Sequence, residues 1–189
     1  MQELIDTFSL ERVSKAGARF QPDKAKWFNA QYFRALSREQ LAAIYQPILR
    51  EHGIEVSDEV AGKAAEIMKE RVTLTTDLWD LTSFFFVAPT QYEEKLAKKQ
   101  WKGDNPAMLA ELREVLLSID DFSKENTEVV VRAWLEQKGF SLGQVMNTLR
   151  LALVGEGKGP GMFDVTEFIG KEECARRIDN LIANLKPIE

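Results

Sequence analysis

The chain has 189 residues, 44% apolar and 29% charged, a balance that fits one helical domain or a small module joined to a larger one and argues against a disordered tail. Its formal net charge of −5 counts against a generally basic, charge-driven binder, so any cationic groove has to be local. No apolar run approaches the ~20 residues that cross a bilayer, the opening MQELIDTFSL lacks the basic-then-apolar order of a secretion signal, and the single cysteine, Cys174, leaves no internal disulfide and fits a reducing cytoplasm.

The first ~35 residues read as a small, partly irregular module. It contains Phe8 to Val13 and a dense patch of Lys24, Lys26, Trp27, Phe28 and Asn29, in which Trp27 and Phe28 are expected to be core. A boundary is placed at residues 35–37, giving a segment 1–36 and a helical region 37–189. From Ser37 onward every predicted element is a helix. Ser37 with Gln40 forms a capping box, Leu41, Ile44, Ile48 and Leu49 give an apolar stripe, and Gly53 ends it. A second helix starts at Ser57 or Asp58 and turns Val60, Ala64, Ile67 and Met68 inward. Residues 73–77 break the pattern, and Leu78, Leu81 and Phe85 resume it up to Pro89. The lysines 95, 98, 99 and 102 around Trp101 read as a solvated face or linker.

Asn105-Pro106 starts the next helix, which runs through Leu109, Leu112, Leu116 and Ile119. Thr127 opens another, carrying Val130, Val131, Trp134 and Leu135 to a stop at Gly139. Leu142, Val145, Leu149 and Leu153 form a stripe ended by the loop 155–161. Asp164 with Glu167 makes a further capping box, and Cys174, Ile178, Leu181 and Leu185 mark the last helix. No strand alternation occurs after Ser37, so the fold class is all-α.

Reaction chemistry has little to draw on. The one histidine, His52, precedes Gly53 and reads as a cap, with no Cys, Asp or second His spaced to share a metal. Cys174 lies on an apolar stripe and reads as inert core. No Ser/His/Asp or Cys/His arrangement can be assembled, and no strand–turn–helix fold is present to hold a nucleotide.

Two blocks carry a resemblance. FSLERVSKAGARFQPDKAKWFN, Phe8 to Asn29, resembles the segment of bacterial-type glutamyl-tRNA synthetases that joins the catalytic part to the anticodon region. LRLALVGEGKGPGMFDVTEFIGKEE, Leu149 to Glu173, is similar to the late helix–loop–helix of the same family, and the spacing between the blocks matches. The family's HIGH-type motif is absent and its KMSKS-type loop is missing, Val13-Ser14-Lys15 being a superficial echo. The resemblance therefore implies an anticodon-binding fragment of a cytoplasmic glutamate–tRNA ligase, with no cofactor of its own. ATP and Mg would belong to the parent enzyme, whose catalytic domain lies outside this chain.

On the helix before the late loop, the 100° step per residue places Asn147, Arg150 and Val154 opposite the apolar stripe. An amide and a guanidinium suit the edges of unstacked bases, the form in which RNA loops are read. The loop 155–161 has little side-chain bulk, which lets a nucleotide approach its backbone, and Lys158 can meet phosphate. Met162 and Phe163 offer apolar surface. The resemblance puts Asn147, Arg150, Gly159, Pro160 and Met162 at anticodon-contact positions. It also matches Arg71 to an arginine that reads the last anticodon base.

Lys24, Lys26, Asn29 and Arg34 combine cations with an amide, as contact with the tRNA body through phosphate and ribose requires. The expected partner is tRNA(Glu), with tRNA(Gln) left open, bound by a monomer. The competing reading of the same helices is a protein-interaction module that binds no RNA.

Overall fold

The computed structural model describes residues 2–13 and 19–186, and among them it contains eleven α-helices and no strand. Ser14 and Lys15 of the signature echo lie outside the described residues. The N-terminal part comprises α1 (Gln2–Thr7), a 3-10 turn (Leu10–Arg12) and α2 (Pro22–Arg34). Within this partly irregular module the patch Lys24 to Asn29 lies on a regular helix, started by Pro22 in its first turn. Only Ala30 and Phe33 of α2 are buried, while Trp27 is 58% and Phe28 46% exposed, so the expectation that these aromatics are core is wrong. The reason is that α2 packs on one narrow side.

Serine caps start several of the later helices. α3 (Arg38–Glu51) has the full capping box, with the Gln40 N–H donating to Ser37 Oγ at 3.3 Å and the Ser37 N–H to Gln40 Oε1 at 2.9 Å. His52 closes α3, stacked at 3.8 Å on Trp79, and Gly53 comes next, in the left-handed region. α4 (Asp58–Met68) is capped by Ser57. Its buried face is Ala61, Ala64, Ala65 and Met68, so Ala64 and Met68 of the predicted stripe face inward, while Val60 is 37% exposed and Ile67 half-buried. These small residues bring α4 close to Leu41, Tyr45 and Leu49 of α3. α5 (Asp77–Thr82) runs into a 3-10 turn (Ser83–Phe85), and the buried hydroxyls of Tyr45 and Thr82 bond to each other.

α6 (Glu94–Gln100) turns its lysines outward and buries Leu96 and Ala97, with Trp101 beyond its end fully buried and donating Nε1–H to Leu185 O at 2.7 Å. α7 (Asn105–Leu117) stops before Ile119, which is nevertheless buried. α8 (Lys124–Lys138) begins behind Ser123, one turn earlier than predicted, so Thr127 is an interior, fully buried residue. α9 (Leu142–Val154), α10 (Met162–Ile169) and α11 (Lys171–Asn184) complete the order. The predicted Asp164–Glu167 box does not form, because Gly161 is the cap and Asp164 pairs with Lys124 Nζ at 2.6 Å.

α11 packs on α7 and α9, closing a core of Leu109, Leu112, Leu116, Leu149, Leu153, Ile178 and Leu181. Within it Arg177 is 1% exposed; its Nη1 donates to Phe84 O at 2.6 Å and Leu153 O at 2.7 Å, and its Nε to Glu173 Oε1 at 2.6 Å. At the other end, Arg34 holds Glu70 through its backbone O at 3.0 Å and its carboxylate at 2.9 Å, and Asn29 donates to Thr73 O. These contacts fasten α2 to the segment after α4. Arg177→Ala removes a buried cation and strands its acceptors, so it should lower unfolding free energy by about 3 kcal/mol, read as a shifted urea midpoint at constant slope.

Candidate functional site

Five segments meet around one hollow of about 290 Å³. Arg71 follows the end of α4, Asp80 and Leu81 come from α5, Phe84 from the 3-10 turn, Val154 from the end of α9, and Glu156, Lys158 and Gly159 from the loop. Leu81, Phe84, Met68 and Val154 make its walls apolar, and the charged groups join them at the lining. Val154 is 8% exposed and belongs to the packed side of α9, contrary to the predicted outward face, because α6, α7, α10 and α11 all pack on this helix. Asn147 is exposed on α9, as read from the step angle, and Arg150 is half-buried one turn later.

Arg150 is held in an unusual way. Its Nη2 donates to Pro160 O at 2.8 Å, while its buried Nη1 makes no hydrogen bond among the described residues. Gly159, at φ +147°, passes so near that a Cβ there would lie 2.7 Å from Nη1. Burial first, and the charge of Arg71 second, depress the Arg150 pKa below the usual arginine range. Neither arginine forms an ion pair among the described residues. Two like charges are thus set near each other in a partly desolvated place, which costs free energy unless an acceptor-rich group lies between them.

The loop wall is fixed by its glycines and by one acid. A Cβ on Gly155 (φ +83°) would lie 2.8 Å from Pro89 Cβ and from Gln91 O, so the loop is pressed onto the segment before α6. The Glu93 N–H donates to Gly155 O at 2.8 Å, and the Gly157 N–H donates to Glu93 Oε2 at 2.8 Å. A second, shallower hollow of about 460 Å³ adjoins the first across Glu156 and Lys158, bounded by Gln91, Tyr92, Glu93 and Gly155. Burial raises the Tyr92 phenol pKa.

Arg71, Arg150, Lys158, Gly159 and Pro160 are therefore gathered in one place, and Asn147 lies one turn along α9 from Arg150. Met162 is not available: at 4% exposure its side chain is core, because it begins α10 facing inward. Lys24 and Lys26 are exposed, Lys24 Nζ lying 6.0 Å from the Phe28 ring centroid. Arg34 and Asn29 have internal uses, gripping residues 70 and 73 on either side of Arg71. Sequence reasoning missed Asp80, Phe84 and Glu93. Only Glu93 carried a signal, as an acid just before a helix, and that signal points to a cap and away from its real partner.

An apolar slot with guanidinium and ammonium groups at its lining suits a flat ring with acceptors on its edge. Metal chemistry has no such setting, since among the described residues no three His, Cys, Asp or Glu side chains are grouped to hold an ion. Cys174 is fully buried, its thiol pushed up to about 12 by burial.

A family model described as "Anticodon binding domain" matches residues 28–182. The glutamate–tRNA ligase of Phocaeicola vulgatus is 50% identical over 186 residues, which cover 98% of this chain and 37% of that protein. That of Parabacteroides distasonis is 48% identical over the same shares. A crystal structure of a glutamate tRNA ligase from Elizabethkingia meningosepticum in complex with its amino acid superposes with a TM-score of 0.91 at 44% identity, over 98% of this chain and 37% of that one. The chain thus spans 37% of the length of these relatives.

If Gly159 is glycine to admit the Arg150 guanidinium, Gly159→Ala should cost about 1 kcal/mol or more in thermal stability. Part of that loss, about 0.5 kcal/mol or more, should vanish in an Arg150→Ala background, as a double-mutant cycle would show.

Proposed function

The chain belongs to the anticodon-binding domain family, and we propose that it is the part of a glutamate–tRNA ligase that selects tRNA by its anticodon. The observation that carries this reading is the Arg71 guanidinium at the lining of an apolar-walled hollow, without an ion-pair partner among the described residues, with Lys158 on the same lining and Arg150, anchored to Pro160 O, beside it. A nucleobase edge supplies acceptors in the plane that such a fork requires, and the apolar walls suit its faces. Lys158 supplies charge for the adjoining phosphate, and Asn147 a second polar edge along α9.

In this proposal tRNA(Glu) is the partner and the protein acts as a single copy in the cytoplasm. Residues 1–36 touch the tRNA body through Lys24 and Lys26, and residues 37–189 read the anticodon. The exposed Phe8, Phe20, Trp27 and Tyr32 would face the catalytic region of the same enzyme. ATP and Mg would be bound there as well. The contribution of this chain is binding energy spent on choosing and orienting tRNA, with no bond made or broken in it.

Titration of fluorescent tRNA(Glu) and anticodon-swapped variants tests the reading. Arg150→Ala and Arg71→Ala should each weaken the cognate complex by about 1–3 kcal/mol and relax discrimination. Lys158→Ala should weaken all tRNAs alike and reduce the log–log salt slope by about 1. Equal affinity for every anticodon, unchanged by Arg150→Ala, would refute anticodon reading, and tRNA(Gln) bound as tightly as tRNA(Glu) would mark a non-discriminating enzyme.

A further inference from the structure

We propose that Glu93 is a positioning residue for anticodon reading, bracing the loop 155–161 so that Lys158 and Gly159 form the wall of the Arg71–Arg150 hollow; this rests on the reading proposed above. Glu93 stands at the cap position of α6, where a shorter Ser, Thr, Asp or Asn side chain ordinarily accepts from the first free amides of the helix. It makes no such bond. Its carboxylate turns instead to the Gly157 N–H at 2.8 Å, and its own N–H donates to Gly155 O at 2.8 Å. The two bonds run in opposite senses and fix alternate residues of the loop.

The glycines at those two positions match this use. A Cβ on Gly157 would lie 3.2 Å from Glu93 Oε2, and one on Gly155 would lie 2.8 Å from Gln91 O. With Gly155 and Gly157 held, the next residues, Lys158 and Gly159, are delivered to the hollow, and Gly159 passes over Arg150 Nη1. The brace therefore acts on Arg150 through the loop, without touching the ligand site.

Charge gives the proposal a sign that can be tested. An exposed carboxylate beside a phosphate-binding surface opposes RNA by itself, within a screening length of about 8–10 Å. If repulsion were its only effect, any neutral replacement would tighten binding. If it braces the loop, a replacement that keeps an acceptor should preserve binding and one that loses it should not.

The experiment measures tRNA(Glu) affinity, the salt slope and the amide exchange of Gly157 in the unaltered chain and in Glu93→Ala and Glu93→Gln. We expect Glu93→Ala to weaken binding about tenfold with the salt slope unchanged and to lose discrimination between anticodons. Glu93→Gln, whose amide oxygen can still accept from Gly157, should stay within about twofold. Gly157 exchange should accelerate in Glu93→Ala only. Binding that tightens in both variants, or weakens equally in both, overturns the proposal, as does unchanged Gly157 exchange in Glu93→Ala. Failure of the unaltered chain to bind any tRNA would instead overturn the anticodon reading and this role with it, while the exchange data, taken without RNA, would still show whether the brace exists.

Discussion

Arg177 is 1% exposed, and a guanidinium taken that far from water must find acceptors inside the protein. It finds Glu173 on its own helix, Leu153 O in the last turn of α9 and Phe84 O in the 3-10 turn after α5. Carbonyls near helix ends lack intrahelical partners, so the side chain answers two groups that would otherwise be stranded in the core. Phe84 and Val154, which line the hollow, are respectively one of these acceptors and the neighbour of the other. The position of the hollow's floor is thus set by a bond from beneath it.

Above that floor the arrangement runs against local electrostatic preference. The chain is acidic overall, yet Arg71 and Arg150 are set near each other without a carboxylate to join them, and burial depresses the Arg150 pKa further. Asp80 and Glu156 line the same hollow without forming an ion pair with either arginine. An overall negative charge keeps anionic polymers from sticking at random, while in the proposed reading the uncompensated pair would be one place where an acceptor-rich ring lowers the free energy.

Much of the helical order could be read from the chain because its signals are local. Ser37 with Gln40, Ser57, Pro106, Gly139 and Gly155 mark ends through contacts within a turn, and the apolar stripes between them have the helical period. The errors fall where distant packing decides. Thr127 looked like a cap but is enclosed by neighbouring helices, and Asp164 looked like a box partner but pairs with Lys124, 40 residues away. Trp27 and Phe28 looked like core but lie outside the narrow buried side of α2. The same divide runs through the site. Arg150, Lys158 and Gly159 are close in sequence and were found together, whereas Glu93 reaches Gly157 across 64 positions and no local pattern reports it. Met162 was misplaced because a residue that follows a glycine loop and opens a helix can face either way until its neighbours are known.

The bond beneath the hollow also imposes an order on biosynthesis. Arg71, Phe84, Val154 and Lys158 all precede Arg177 in the chain, so every residue that lines the hollow is made before the side chain that fixes its floor. At roughly 5–20 residues per second, translation needs on the order of seconds to add α11 after the loop, and longer for it to clear the ribosome. A nascent chain still lacking α11 has its cations without a set geometry. In the reading proposed above, the hollow would be complete only once this last described helix has docked.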